Sequence, residues 1–92
     1  MAKELFQSLL TTRSLKIERI ISTGQATKKG KWLKSKWNEW VILLKGRAKL
    51  RFLKDNRVVK MRVGSYVLIP ANTSHRVDWT APRQKTIWLT LH

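Results

Sequence analysis

The chain has 92 residues, 42% of them apolar, and no cysteine. It is long enough for one domain and too apolar to be disordered, and disulfides and thiolate metal sites are excluded. Its 20 Lys and Arg against five acids leave a formal charge of +15, which draws polyanions in general without specifying one.

Leu5, Phe6, Leu9 and Leu10 fall at i, i+1, i+4 and i+5, which predicts a short amphipathic helix over about residues 3–10. Glu4 and Gln7 interrupt the apolar part of this segment, so it lacks a signal-peptide pattern and the cytoplasm is the expected location. No apolar run approaches the roughly 20 residues of a membrane span, and no membrane partner is expected.

From about residue 14 the pattern changes to short strands broken by turns. Residues 14–22, SLKIERIIS, alternate at Leu15, Lys16, Ile17 and Glu18, as a strand with one wet face does. GQATKKGK (24–31) carries two glycines and three lysines and is expected to be a mobile basic loop. WLKSKW (32–37) is read as a strand. WVILLK (40–45) is a continuous apolar run of strand length, expected to be buried on both faces.

In KGRAKLRF, Lys45, Arg47, Lys49 and Arg51 alternate with Gly46, Ala48, Leu50 and Phe52. Side chains on a strand point to opposite faces in turn, so one face is cationic. KDN (54–56) is a turn. RVVKMRV (57–63) returns with Val59, Met61 and Val63 opposite Val58, Lys60 and Arg62, completing a hairpin. YVLIP (66–70), HRVDWT (75–80) and TIWLTLH (86–92) supply the remaining strands. His75, Val77 and Trp79 share a face in the second of these, and Trp88 lies out of phase with Ile87, Leu89 and Leu91 in the third.

The stretch GSYVLIPANTSHRVDW, Gly64 to Trp79, resembles the second motif of the cupins: glycine, five residues, proline, one residue, glycine, two residues, histidine, three residues, asparagine. Gly64, Pro70 and His75 match in type and spacing. Asn72 stands in for the middle glycine, a mild change because Asn tolerates the left-handed turn conformation, and Trp79 replaces the final asparagine. Glu39 and Gly46 fit the end of the first motif, a glutamate, six residues and a glycine. The two histidines that precede that glutamate are missing; their places fall among Trp32, Leu33, Lys34 and Ser35. The resemblance implies an all-β fold, an antiparallel jelly-roll barrel over about residues 14–92 with the short helix before it, in one domain spanning residues 1–92.

For function the resemblance implies a site in the barrel and leaves its use open, because one fold hosts many activities. Metal-binding cupins use three histidines and one glutamate; only Glu39 and His75 occupy such positions here, too few to hold a divalent ion firmly. No cofactor is therefore expected, and Glu39 and His75 stand as weak metal candidates. The main reading is a non-catalytic or degenerate cupin that binds a small molecule, an anion included, in a pocket around His75, Glu39, Trp32, Trp37 and Trp79. Trp40 is expected in the core. One alternative is a metal-dependent cupin enzyme of the sugar isomerase or dioxygenase type. The other is nonspecific nucleic-acid binding through the basic face of Lys45, Arg47, Lys49, Arg51, Lys60 and Arg62, among whose cations no aromatic residue is expected. The apolar WVILL segment leads to the expectation of a homodimer.

Overall fold

The computed structural model describes residues 4–92. Eight strands form in chain order: β1 (Leu5–Thr11), β2 (Lys16–Ser22), β3 (Glu39–Lys45), β4 (Ala48–Phe52), β5 (Val58–Met61), β6 (Tyr66–Ile69), β7 (His75–Thr80) and β8 (Thr86–Leu91). All pairs are antiparallel, in two sheets: a five-stranded sheet ordered β1-β2-β8-β3-β6 and a three-stranded sheet ordered β5-β4-β7. The fold is all-β, as expected. The sheets face one another without a ladder joining them into a closed barrel among the described residues.

The core is the facing surface of these two sheets. Val41, Leu43, Ile69 and Trp88 from the larger sheet meet Ala48, Leu50, Phe52 and Met61 from the smaller one. Leu43, at 0% exposure, is its most enclosed member. The alternation of β4 is as the sequence predicts: Ala48, Leu50 and Phe52 are buried, and Lys49 points to solvent. β3 departs from the expected double burial. Val41 and Leu43 point inward, while Trp40, Ile42 and Leu44 belong to the opposite face.

β8 inverts a simple hydrophobic reading. Thr86, Trp88 and Thr90 are the buried residues, and Ile87, Leu89 and Leu91 take the outer face. The register passes this phase to its neighbours. Ser22, Ile20 and Glu18 on β2 pair with Thr86, Trp88 and Thr90 and therefore also point inward. The outer face of the five-stranded sheet is consequently apolar, and among the described residues no element packs on it.

The predicted helix is absent. Residues Leu5–Thr11 form β1, hydrogen-bonded to β2 and exposed along its whole length; Lys3, at the start of the expected helix, lies outside the described residues. The cause is a bulge. The register shifts between Ser8 and Leu10, so Leu9 is an extra residue. That insertion destroys the period of two that would have announced a strand and leaves a spacing that imitates a helix.

Residues 23–38 form no named strand, against the expectation for 32–37; only Leu33 makes an isolated bridge, to His75. The segment is nevertheless tied along the free edge of β7. Thr27 N–H donates to Val77 O at 2.9 Å, Val77 N–H donates to Thr27 Oγ1 at 2.9 Å, and Leu33 and His75 exchange bonds of 2.6 and 2.9 Å. The expected mobile loop is pinned at these points, with its lysines outside.

The turns obey local backbone chemistry. Asn72 adopts φ of +60°, the left-handed conformation its place in the motif requires. Gly46 and Gly64 have φ of +88° and +89°, yet their surroundings differ. A Cβ on Gly46 would lie 2.4 Å from Thr86 Oγ1 and 2.7 Å from Thr86 Cα, whereas one on Gly64 would meet nothing within 4 Å. Gly64→Ala is expected to cost about 1 kcal/mol, the conformational penalty alone. Gly46→Ala adds a collision with the β8 backbone and is expected to cost at least about 3 kcal/mol. Urea unfolding of the two variants checks the ordering; equal losses would contradict the close approach at Gly46.

Candidate functional site

The larger sheet has five strands and the smaller one three, so the smaller cannot cover it. The uncovered inner surface, bounded by β1, β2 and the segment before β3, encloses a cavity of about 400 Å³. This is a normal size for a small-molecule site. Its walls are Val41, Leu50, Ile69, Val77 and Trp88, with Phe6 from β1 and Leu33 from the segment along β7.

Its polar groups come from five strands or strand ends and, at Thr27, from the segment before β3. Glu39 begins β3 and His75 begins β7, so the two face one another across the gap between sheets. His75 Nδ1 lies 2.9 Å from Thr73 O, which accepts its proton and leaves Nε2 pointing at Glu39. Nε2 and Glu39 Oε1 are 3.9 Å apart. This is an ion-pair distance but too long for a hydrogen bond, and a ligand hydroxyl between them would bond to both. His75 is buried and its imidazole also contacts the Phe52 ring, centroid to centroid 6.3 Å.

Glu4, Glu18, Thr27 and Thr90 complete the polar set. Glu4 accepts a hydrogen bond from Ser22 Oγ, which itself accepts one from Trp88 Nε1 at 3.3 Å, so the indole is held in place on the wall. Glu18 is held by His92 Nε2 at 3.0 Å and Lys16 Nζ at 3.7 Å. The Thr90 hydroxyl is buried with no hydrogen-bond partner. A buried hydroxyl left unpaired costs about 1–3 kcal/mol; Thr90 lines the cavity, but its hydroxyl oxygen is enclosed. Three of the chain's five acids, Glu4, Glu18 and Glu39, line this cavity, and no Lys or Arg does.

Of the residues singled out in the sequence, the structure brings Glu39 and His75 together and leaves the three tryptophans elsewhere. Trp32 and Trp37 lie on the exposed segment before β3, 36% and 68% exposed, and do not line the cavity. Without a strand to aim them inward, their rings rest outside; the Arg76 guanidinium lies 5.9 Å from the Trp32 ring. Trp79 does not share the face of His75. The β4–β7 register shifts at Asp78, pairing Leu50 with Val77 but Lys49 with Trp79. That bulge turns Trp79 outward, where Lys49 Nζ lies 5.5 Å from its ring centre. The tryptophan that does line the cavity is Trp88, whose odd phase in TIWLTLH was the available signal. Glu18 and Thr90 carried no signal, because only the β2–β8 register makes them neighbours.

The three-histidine, one-glutamate set of metal-binding cupins finds two counterparts here. Among the described residues no three His, Cys, Asp or Glu side chains are grouped to hold an ion. The segment holding Trp32, Leu33, Lys34 and Ser35 supplies no ligand, and one His75 nitrogen is engaged by Thr73. The residues present do not fit a resident metal.

The basic face is divided. Lys49, Arg51 and Lys60 lie on the outer side of the three-stranded sheet, with Arg47 and Arg62 continuing its alternation at either strand end. Arg51 is neutralised by Asp78, at 2.6 Å, which also pairs with Arg76 at 2.9 Å. Lys45 is not part of this face. A register shift between Leu43 and Lys45 pairs it with Ile87, on the outer side of the other sheet. Trp79 thus stands as an aromatic residue among the cations, contrary to the expectation of none.

The cupin domain model matches residues 21–92. No curated protein matches the chain. A solved structure from Ralstonia eutropha, provisionally named a mannose-6-phosphate isomerase, superposes with a TM-score of 0.95 at 42% identity, covering 100% of this chain and 85% of that one. A cupin superfamily protein from Desulfitobacterium hafniense gives a TM-score of 0.79 at 16% identity, covering 97% and 75% of the two chains. The EutQ protein of Clostridium difficile gives 0.74 at 13% identity, covering 96% and 65%. With the two sheets, the facing Glu39 and His75 and a family match over most of its length, the chain belongs to the cupin domain family.

Proposed function

We propose that this cupin binds a small, uncharged, hydroxyl-rich molecule, a sugar or similar polyol, without transforming it. The observation that carries this reading is the facing pair of Glu39 and His75, 3.9 Å apart on the cavity wall. Carboxylates accept hydrogen bonds from hydroxyl groups, the histidine Nε2 either accepts or donates, and the Trp88 ring offers an apolar surface to the carbons. The expected anion is disfavoured: three carboxylates without a cation on the walls would repel it. Among the described residues no nucleophile stands beside a base here; the acid–base pairs are Glu39 with His75 on the wall and Glu18, on the wall, with His92.

Thr90→Val tests the unpaired hydroxyl through stability alone. Removing an unpaired buried hydroxyl while keeping its shape should leave stability equal or raise it by about 1 kcal/mol. Glu39→Gln should weaken sugar binding by about 10-fold. Titrations of mannose and related hexoses, read by thermal shift and Trp fluorescence, check this. The isomerase reading, which rests on the 42% identical neighbour, predicts the reverse preference: mannose 6-phosphate bound more tightly than mannose and converted to its ketose. That result would replace the non-catalytic reading.

A metal dependence is not expected. Protein expressed with added zinc, manganese or iron should carry far less than one ion per chain by elemental analysis. A chelator should leave its melting temperature unchanged, whereas a structural or catalytic ion would be retained and stabilising.

The outward position of Trp79 favours one second reading, binding of single-stranded nucleic acid on the outer side of the β5-β4-β7 sheet. Base stacking on an aromatic ring among cations is sequence-tolerant; Trp79 is half-buried on this side, and Lys49, Lys60 and Arg62 would meet phosphates. Lys49→Gln with Lys60→Gln should then reduce the log–log salt slope of affinity by about 0.7 per lost contact, and Trp79→Ala should weaken binding without changing that slope. An unchanged slope in the double variant would reduce this face to a solvated one.

A further inference from the structure

Residues 28–37, KKGKWLKSKW, hold five lysines, two tryptophans and no acid. A charge run of this kind is ordinarily a solvated face, yet this one exposes apolar side chains as well. Lys28, Lys29, Lys31, Lys34 and Lys36 are all exposed, and so are Trp32, Trp37 and Leu33, the last at 46%. Leu33 also lines the cavity, together with Phe6 of β1, which is 63% exposed. These two stand where the cavity opens, so its mouth adjoins the lysine-rich stretch.

The backbone beneath these side chains is held in place. Besides the bonds of Thr27 and Leu33 to β7, Arg76 Nη2 donates to Thr27 O at 2.8 Å, Asn72 N–H donates to Ser35 O at 2.7 Å, and Ala71 N–H donates to Asn38 Oδ1 at 2.9 Å. The tip is turned by Lys31 N–H, which donates to Lys28 O at 3.0 Å, and at Gly30 it stands clear of its neighbours. A frame already ordered in this way loses little freedom when a partner binds.

The charge calls for an anionic partner, and two features choose a lipid surface over a nucleic acid. All five cations are lysines. Lysine is a point charge suited to a diffuse anionic surface and lacks the arginine fork that grips a single phosphate with two bonds. The exposed apolar set also includes an aliphatic residue, Leu33, on which no base stacks. Indole rings and aliphatic side chains both enter the headgroup layer of a bilayer, where binding scales with buried apolar area plus attraction to anionic lipids.

We propose that residues 28–37 dock the protein on the surface of anionic lipid membranes, with the mouth of the cavity beside the contact. Trp37 and Leu33 enter the headgroup layer, and the five lysines meet the lipid anions. The contact is peripheral: no part of the chain crosses the bilayer in it. Its electrostatic part acts over about 8 Å at about 0.15 M salt, so the lysines of this stretch contribute and cations on distant faces contribute little.

The test is sedimentation of the protein with phosphatidylcholine vesicles, with and without phosphatidylglycerol. At about 0.15 M salt the partition coefficient should be at least about 100-fold larger with the anionic lipid present. Lys31→Gln with Lys34→Gln should lower it by about 25-fold, since each lysine at such a surface contributes about 5-fold. Lys49→Gln with Lys60→Gln removes the same charge from the three-stranded sheet and should change it by no more than about 2-fold. Trp37→Ala should lower it by about 10-fold. All four lysines are exposed, so the two lysine pairs decide the matter even if Trp37→Ala fails to fold. Equal losses in the two pairs overturn the proposal and leave net charge as the cause. Equal binding to both kinds of vesicle overturns it, as do binding to neither and a folded Trp37→Ala that binds as the parent does. Binding of a single-stranded DNA oligonucleotide that Lys31→Gln with Lys34→Gln abolishes, without binding to vesicles, overturns it in favour of a nucleic acid.

Discussion

The mismatch between a five-stranded and a three-stranded sheet governs this molecule. Face-to-face packing buries Leu43, Leu50, Phe52 and Trp88 in a common core, and a fully buried residue of this size contributes about 1.5–3 kcal/mol. Three strands can be satisfied completely by five, but five cannot be satisfied by three. The surplus inner surface of β1, β2 and β8 becomes the cavity. The segment of residues 23–38 follows from the same deficit: it runs along the otherwise open edge of β7 and satisfies Val77 and His75 with hydrogen bonds that a fourth strand would have made.

The distribution of charge matches that division. In a chain of +15, three of five carboxylates face inward and the cations face water. Each inward carboxylate has a neighbour that makes its burial tolerable: Ser22 for Glu4, His92 and Lys16 for Glu18, and His75 for Glu39. Asp78 does the corresponding work outside, between Arg51 and Arg76. The expected cationic hairpin face is therefore less cationic than a count of its residues implies, and the cavity is more acidic than the chain as a whole.

Three bulges account for the principal departures from a periodic reading. Leu9 in β1 makes a strand look like a helix, Asp78 in β7 turns Trp79 from the cavity to the surface, and the shift at Leu44 in β3 carries Lys45 to a different sheet from Lys49. In each case one inserted residue exchanges the two faces of everything beyond it. The insertion is set by hydrogen-bonding partners on another strand, so it leaves no mark in the local composition.

What the sequence determined by itself is what local chemistry controls. The turn at residues 54–56, the left-handed Asn72, the alternation of β4 and the spacing from Gly64 through Pro70 to His75 are short-range properties, and they sufficed for the family and for the all-β fold. Glu39 and His75 could be paired because the motif specifies both places. Strand register was decided only in the tertiary structure, because it depends on which residues of distant strands share hydrogen bonds. Register made Glu18, Trp88 and Thr90 neighbours in the cavity, sent Trp79 outside and collected Ile17, Ile42 and Leu89 on one open face. Residues far apart in the chain acquire a common chemistry only when backbone pairing puts them on the same side of the same sheet.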